Sequence, residues 1–155
     1  MKDNTKNVLI QLLQAHFGKK DKRVNQVLEK ISSPELTYYA VEKKLNLPAS
    51  TLSRPVKGFK QFIVTAAKLS FKKNNLLIDD FDHICSLANI KNQKKAGVKR
   101  VIFDNTSSYR AEIEYDLPKG TLSRVVRKYE DMSSFINQFD KKTIQEINNQ
   151  VQLSC

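Results

Sequence analysis

This 155-residue chain has little of what defines several other classes of protein. Its only two cysteines, Cys85 and Cys155, lie far apart in the sequence, so neither a disulfide scaffold nor a cysteine-based metal site is expected. Four glycines and four prolines stand against 40% hydrophobic residues, a balance that favours helices over turn-rich sheets. The longest apolar runs are a few residues, far short of a membrane span, and no signal-type apolar region follows Met1. We therefore expect a cytoplasmic protein that does not contact a membrane.

Residue patterns typical of catalysis are scarce as well. The two histidines, His16 and His83, lie within apolar helix patterns, so we expect them to be partly buried structural residues. The acidic cluster at residues 79–82 beside His83 allows a metal site in principle, but acidic residues in the first turn of a helix also favour its dipole. No glycine-rich phosphate loop, paired-cysteine motif or nucleophile elbow occurs in the sequence. We expect no enzyme activity, no cofactor and no metal.

Positive charge, by contrast, is abundant. The chain has 27 basic and 16 acidic residues, a formal net charge of +11. A strongly basic protein attracts polyanions, which favours nucleic acid as a partner, although solubility alone is an alternative explanation. The excess is uneven, because residues 1–75 carry a balance of +10 and residues 76–155 a balance of +1. The first half is therefore better suited to a polyanion.

One short sequence occurs twice in the chain. Residues 47–57 read LPASTLSRPVK and residues 117–127 read LPKGTLSRVVR, and most positions are identical. We call the spacing from Leu47 to Leu117 the repeat offset. The same offset also pairs Glu42 with Glu112 and other residues on either side. An internal repeat of this kind indicates that the architecture is duplicated.

Apolar residues recur at helical spacing along the chain and predict an all-α fold. The expected helices cover residues 5–17, 22–31, 36–45, 49–59, 76–88, 95–103, 108–115, 119–131 and 143–153. Residues 95–103 contain enough β-favouring side chains that a strand is an alternative there. We expect the fourth helix to run on to Phe71 as a long connecting helix. Two tandem units of about four helices each, residues 1–73 and 74–155, are then expected.

The repeated sequence has the features of the turn and second helix of a helix-turn-helix. In each copy a leucine fills the turn, an apolar i, i+4 pair seats the second helix, and an aromatic residue extends the apolar stripe. These residues are Leu47, Leu52, Val56 and Phe59 in the first copy, and Leu117, Leu122, Val126 and Tyr129 in the second. The first helix also needs a small inward residue, which we expect at Ala40 or Val41 in the first copy and at Ala111 in the second.

The opposite face of each second helix is short, polar and cationic. An arginine one turn into a recognition helix can bind guanine with two hydrogen bonds, and later cations suit phosphates. A solvated helix face is the alternative. The expected DNA contacts are Ser50, Thr51, Ser53, Arg54, Lys57 and Lys60 on or beside recognition helix 49–59, and Lys119, Gly120, Thr121, Ser123, Arg124, Arg127 and Lys128 on recognition helix 119–129.

Two features distinguish the copies. Pro55 falls inside the first recognition helix, where we expect it to kink the helix at a cost of about 3 kcal/mol. Glu112, Glu114 and Asp116 flank the second motif, where we expect them to repel phosphates. The first copy therefore combines a favourable charge with a kinked helix, and the second combines a regular helix with a weaker charge.

The stretch from Tyr39 to Arg54 resembles the general bacterial helix-turn-helix pattern. Residues 76–132 resemble the TrfB/KorA type of plasmid repressor, and more loosely the PapB-type fimbrial regulators, in their helical lead-in and in the sequence KGTLSR at residues 119–124. The resemblance implies all-α DNA-binding regulators of mobile-element or surface-structure operons. Such repressors usually carry one motif and pair as dimers, whereas this chain carries two.

The sequence therefore predicts a sequence-specific regulator of transcription, most simply a repressor, that binds double-stranded DNA and is nucleoid-associated when bound. Either both units read successive major grooves, or one unit reads bases while the other contacts protein. The charge distribution favours the N-terminal unit as the reader. Further expected partners are a second copy in a homodimer, another regulator or RNA polymerase. The alternatives are an adaptor that binds proteins and only non-specifically DNA, and an RNA-binding protein.

Overall fold

The structure, a computed structural model, describes residues 2–69 and 78–154, and this part of the chain is all-α without strands. The all-α prediction is confirmed, and the strand alternative for residues 95–103 is wrong because that segment is helical. The helices are α1 (Asp3–Phe17), α2 (Lys22–Ser32), α3 (Tyr38–Lys44), α4 (Ser53–Ala67), α5 (Phe81–Leu87, after a 3₁₀ turn at Ile78–Asp80), α6 (Asn92–Phe103), α7 (Ser108–Glu114), α8 (Thr121–Asn137) and α9 (Lys141–Gln152).

The chain folds as two units. Unit 1 comprises residues 1–67 and 139–155, and unit 2 comprises residues 68–138. The expected boundary, between residues 73 and 74, lies outside the described residues. The structure corrects the assignment of the last helix to the C-terminal half, because α9 packs on α4 and α1 within unit 1. The expected connecting helix is shorter than predicted, since α4 ends at Ala67, and Phe71 lies outside the described residues.

The repeat offset extends from the repeated sequence to whole helices. α2 and α6 begin at positions related by this offset, and α3 and α7 both begin and end at such positions. The ends of α1 and α5 are related in the same way, as are the ends of α4 and α8. Each unit thus contains the same four helices in the same order. Among the described residues, α9 is an additional helix of unit 1 without a counterpart in unit 2.

The core of unit 1 is formed by the apolar faces of α1, α2, α4 and α9. Its aromatic part includes His16, whose ring centroid lies 4.9 Å from that of Phe62 and 5.9 Å from that of Phe59. Burial is the main cause that lowers the pKa of His16, and the charge of Arg23 adds to it. The prediction that His16 is partly buried is confirmed.

The core of unit 2 contains two ionisable side chains that unit 1 lacks at the matching positions. Burial raises the pKa of Cys85 to about 11 and the pKa of Tyr129 to about 12. The buried position of Cys85 agrees with its prediction as a small core residue, and Cys155 lies outside the described residues. α6 also approaches α8 closely at Gly97, where an added Cβ would lie 2.8 Å from Cδ1 of Leu122.

Candidate nucleic-acid interface

In each unit the repeated sequence forms a turn between two helices. Residues 45–52 join α3 to α4 in unit 1, and residues 115–120 join α7 to α8 in unit 2. Two residues of each turn adopt a left-handed backbone conformation, which glycine and asparagine accept most readily. They are Asn46 (φ 57°) and Ser50 (φ 66°) in unit 1, and Asp116 (φ 53°) and Gly120 (φ 85°) in unit 2.

A buried glutamate fixes the start of each second helix. Oε2 of Glu42 accepts a hydrogen bond from the backbone N–H of Leu52 at 2.9 Å, and Oε2 of Glu112 accepts one from Leu122 at 2.8 Å. The two glutamates are only 3% and 4% exposed. The prediction that Glu112 repels phosphates is therefore wrong, because its carboxylate is buried against the backbone of α8. Each bond satisfies an N–H group at a helix start.

Both second helices begin later than the sequence predicted. α4 begins at Ser53 rather than residue 49, and α8 begins at Thr121 rather than residue 119. Pro55 is consequently the third residue of α4, where a backbone N–H has no partner within the helix. The predicted kink at Pro55 is therefore wrong. Four candidate DNA contacts lie in the turns instead of on helices, namely Ser50, Thr51, Lys119 and Gly120.

Most of the candidate DNA contacts lie at the surface. The i, i+4 residues and the aromatic residue that were expected to seat each helix are buried in both units, as predicted. Thr121 is an exception among the candidates, because it is 9% exposed and faces the core. Lys60 and Gly120 are half-buried, and the exposed candidates are Ser50, Thr51, Ser53, Arg54, Lys57, Lys119, Ser123, Arg124, Arg127 and Lys128.

The exposed face of α4 in unit 1 carries charge of one sign. α4 contains three cations, Arg54, Lys57 and Lys60, and no acidic residue. Within the described ranges, none of these three side chains forms an ion pair. Because they are spaced by three residues, they follow one side of the first two turns. This surface can attract an anionic polymer, because no carboxylate on the same helix competes for its cations.

The corresponding face of α8 in unit 2 carries both signs. Arg124 and Arg127 are followed one turn later by Glu130 and Asp131, all four exposed. These side chains line an open cleft of about 620 Å³ between α6, α7 and α8, together with Val101, Ser108, Ser123 and Val126. Nε of Arg124 donates a hydrogen bond to the carbonyl of Gly120 at 3.4 Å. The cleft therefore offers both guanidinium and carboxylate groups.

An ion pair between the second and third helices of each unit has opposite polarity in the two units. In unit 1, Lys44 of α3 pairs with Glu29 of α2. In unit 2, position 114 is a glutamate that pairs with Arg100 of α6, with Nε 3.2 Å from Oε2. The neighbouring residue differs too, because Ile113, which is 64% exposed, replaces Lys43. The outer surface of α7 is thus less basic than that of α3.

The units also differ less in total charge than the two halves of the sequence do. Unit 1 contains 14 basic and 7 acidic residues, and unit 2 contains 13 and 9, so their formal charges are +7 and +4. The electrostatic difference between the exposed faces of α4 and α8 therefore comes mainly from where the charges lie and less from their total number. It is concentrated at the matched positions of the second helices.

Two other predictions concern metal sites and membrane-spanning segments, neither of which was expected. In the ranges 2–69 and 78–154, no group of three or more His, Cys, Asp or Glu side chains is arranged to hold a metal ion. None of the helices in these ranges combines the length and the apolar character needed to cross a membrane.

Comparisons with known proteins give one partial similarity. No protein-family model and no solved structure matches the chain. The chain is similar to reticulocyte-binding protein 2 of Plasmodium vivax (strain Belem), with 37% identity over 76 residues. This stretch is 46% of the chain but only 3% of that much longer protein. Such a short match does not show a family, and the resemblance to TrfB/KorA-type repressors stays a prediction.

Proposed function

We propose that this protein is a sequence-specific regulator of transcription that binds double-stranded DNA through unit 1. On this proposal α3 and α4 form a helix-turn-helix in which α4 is the recognition helix. The observation that supports it most is the one-sign surface of α4, where Ser53 and Arg54 lie in the first turn and Lys57 and Lys60 follow.

The order of these side chains suits a major groove. A helix enters the groove with its N-terminal residues near the base edges, and short side chains such as Ser53 permit close approach. Arg54 is placed to read a guanine, a contact worth roughly 1–3 kcal/mol of discrimination. Lys57 and Lys60 lie further along the helix, where they would contact phosphates and set the register.

The second unit supports a division of labour rather than two equivalent readers. Glu130 and Asp131 lie one turn beyond Arg127 on α8, where phosphates would be expected beside a docked helix. Like-charge contacts at an interface disfavour that partner. Unit 2 is therefore the better candidate for contact with protein, and unit 1 for contact with DNA. Repression of a mobile-element operon is the role that the TrfB/KorA resemblance implies for such a regulator.

Selection of bound duplexes from a random DNA library tests this proposal. We expect enrichment of one short motif, because unit 1 supplies one set of base contacts. Recovery of DNA without any shared motif, with binding that vanishes as salt rises, would favour the adaptor alternative. Tyr39 and Tyr109 are 66% and 63% exposed and could stack on unpaired bases, so a single-stranded RNA library is the necessary second arm. Tighter binding of RNA than of any duplex would contradict the proposal.

A further inference from the structure

The additional helix α9 packs on the surface formed by the repeated helices of unit 1. α9 packs on α4, and three hydrogen bonds locate it along the unit. They join Nε2 of Gln145 to the carbonyl of Ala67 (3.3 Å), Nε2 of Gln150 to the carbonyl of Ile31 (3.3 Å), and the hydroxyl of Tyr38 to the carbonyl of Ser154 (3.2 Å). α9 therefore starts beside the end of α4 and ends beside the end of α2 and the start of α3.

The cleft of unit 2 lies at the matching place. The repeat offset pairs Ile31 with Val101 and Tyr38 with Ser108, and both Val101 and Ser108 line the cleft. In unit 1 the last residues of α9 fill the space beside these positions. In unit 2, within the described residues, the same space is open. The wall of the cleft formed by α6 and α7 is thus the counterpart of the surface beside which α9 ends in unit 1. The wall formed by α8 matches the exposed face of α4 that carries Ser53, Arg54 and Lys57.

The surface beside the cleft has a different chemistry from its counterpart. In unit 1, the C-terminal part of α4, which lies beside the start of α9, carries Ile63, Val64 and Ala67, and Ile63 is fully buried. At the matching positions α8 carries two serines and an asparagine, Ser133, Ser134 and Asn137. A polar surface of this kind is stable in water without a permanent cover. A helix that buries an apolar face, as α9 does with Ile144, Ile147 and Val151, would therefore not suit unit 2, whereas a polar, exchangeable helix would.

We propose that the cleft of unit 2 binds the C-terminal end of a helix from a partner protein, with a basic residue about one turn before an acidic residue. A helix that runs antiparallel to α8, as α9 runs along α4, passes Glu130 and Asp131 first and Arg124 and Arg127 last. The basic residue then lies near the two carboxylates. The acidic residue and the negative end of the helix dipole lie near the two guanidinium groups. The proposal does not depend on DNA binding by unit 1.

Two designed peptides of about 16 residues, alanine-rich and partly helical, test the proposal on the full chain. One has a lysine four residues before a C-terminal glutamate, and the other has these two residues exchanged. We expect the first peptide to bind roughly tenfold more tightly, measured by fluorescence anisotropy, because only its charge order matches the cleft. Equal affinities for the two peptides, or no binding of either, would overturn the proposal.

Two variants make the test specific. Exchanging one charge at each end of the cleft with Arg124→Glu and Glu130→Lys should abolish the preference between the two peptides, because Arg127 and Asp131 remain and each end then carries both signs. Both substituted positions are exposed, so the fold is retained. Ser108→Tyr introduces the residue that unit 1 has at this position, and we expect it to fill the cleft and abolish binding. A preference that survives either variant contradicts the assignment of the site.

Unit 1 provides the control for locating the bound peptide, because it has a matching residue at each position of the cleft. We expect the methyl resonances of Val101 and Val126 to shift on titration with the first peptide, and those of Ile31 and Val56 in unit 1 to stay unchanged. Shifts confined to unit 1 would overturn the proposal. Displacement of the peptide from Val101 and Val126 by duplex DNA would also overturn it, in favour of a second DNA reader.

Discussion

Unit 1 and unit 2 share the features that hold the backbone and differ where a partner would be met. The glutamate that fixes the start of the second helix, the leucine that it binds and the left-handed turn positions all recur at the repeat offset. The exposed surroundings do not, because Lys43, Lys60 and Gln61 correspond to Ile113, Glu130 and Asp131. The comparison shows one scaffold with two different surfaces, which is what the proposed division between DNA contact and protein contact requires.

The strongest test of the shared scaffold is removal of the buried glutamates. Glu42→Ala and Glu112→Ala each leave a backbone N–H without its acceptor at a buried helix start. We expect each variant to lower the free energy of unfolding by about 1–3 kcal/mol, because an unsatisfied buried group carries the full cost of desolvation. Chemical denaturation combined with amide hydrogen exchange in each unit measures this.

Glu114→Ala is the matched control for this prediction, because Glu114 is exposed and pairs only at the surface with Arg100. A surface ion pair of this kind contributes at most about 1 kcal/mol. If Glu42→Ala destabilises unit 1 while Glu112→Ala leaves unit 2 unchanged, the two turns are not held in the same way and the shared scaffold is refuted.

The two helical glycines, Gly58 in unit 1 and Gly97 in unit 2, are expected to respond oppositely to alanine: one substitution should raise the free energy of unfolding and the other should lower it. Gly97→Ala forces a methyl group against Leu122, and we expect a net loss of about 1–2 kcal/mol from overpacking. Gly58→Ala meets only Nε2 of His16 at 3.7 Å, an ordinary contact, so the better helix propensity of alanine should stabilise unit 1 by roughly 0.5–1 kcal/mol. Thermal unfolding of both variants checks this. Stabilisation by both substitutions would show that α6 and α8 can separate without cost.

Alkaline pH is expected to destabilise unit 2 more than unit 1. The pKa of Cys85 rises from 9.0 to about 11 and that of Tyr129 from 10.0 to about 12, so the unfolded chain loses these protons first. Stability is therefore complete below about pH 9 and is lost as the pH rises through the folded-state values. The matching residues in unit 1, Ala15 and Phe59, do not ionise. Tyr129→Phe should weaken the alkaline loss, as followed by hydrogen exchange in unit 2.

Mildly acidic pH is expected to destabilise unit 1 more than unit 2. This is the smallest of the expected effects on stability. The lowered pKa of His16 means that the unfolded chain takes up a proton at higher pH than unit 1 does. Stability from this residue is complete above about pH 6.5 and is lost as the pH falls through the lowered folded-state value. The counterpart in unit 2 is Ser86. If His16→Phe leaves the acid response of unit 1 unchanged, His16 is not its cause.

Features that depend on local periodicity could be predicted from the sequence, and features that depend on tertiary contacts could not. The buried stripe of Leu52, Val56 and Phe59 and the exposed face with Arg54 follow from helical spacing alone. The error at Pro55 arose because a left-handed residue in the turn delays the start of α4, which periodicity does not reveal.

The role of Glu112 was missed because a charged residue beside a motif suggests a surface, while its burial depends on a hydrogen bond to a residue ten positions later. The repeat contained a usable signal, since Glu42 lies ten positions before Leu52 in the same way. The location of α9 had no such signal, because the order of helices along a chain does not determine which unit a terminal helix packs against. The cleft of unit 2 could not be found from the sequence for the same reason.

Titration of the selected duplex with the Arg54→Ala and Arg124→Ala variants distinguishes one DNA-reading unit from two. These residues occupy the same position in the two units, and both are exposed, so neither substitution should disturb folding. At one fixed salt concentration, we expect Arg54→Ala to lower specific affinity roughly tenfold or more and Arg124→Ala to change it less than about twofold. Equal losses from the two variants would contradict the division between the units.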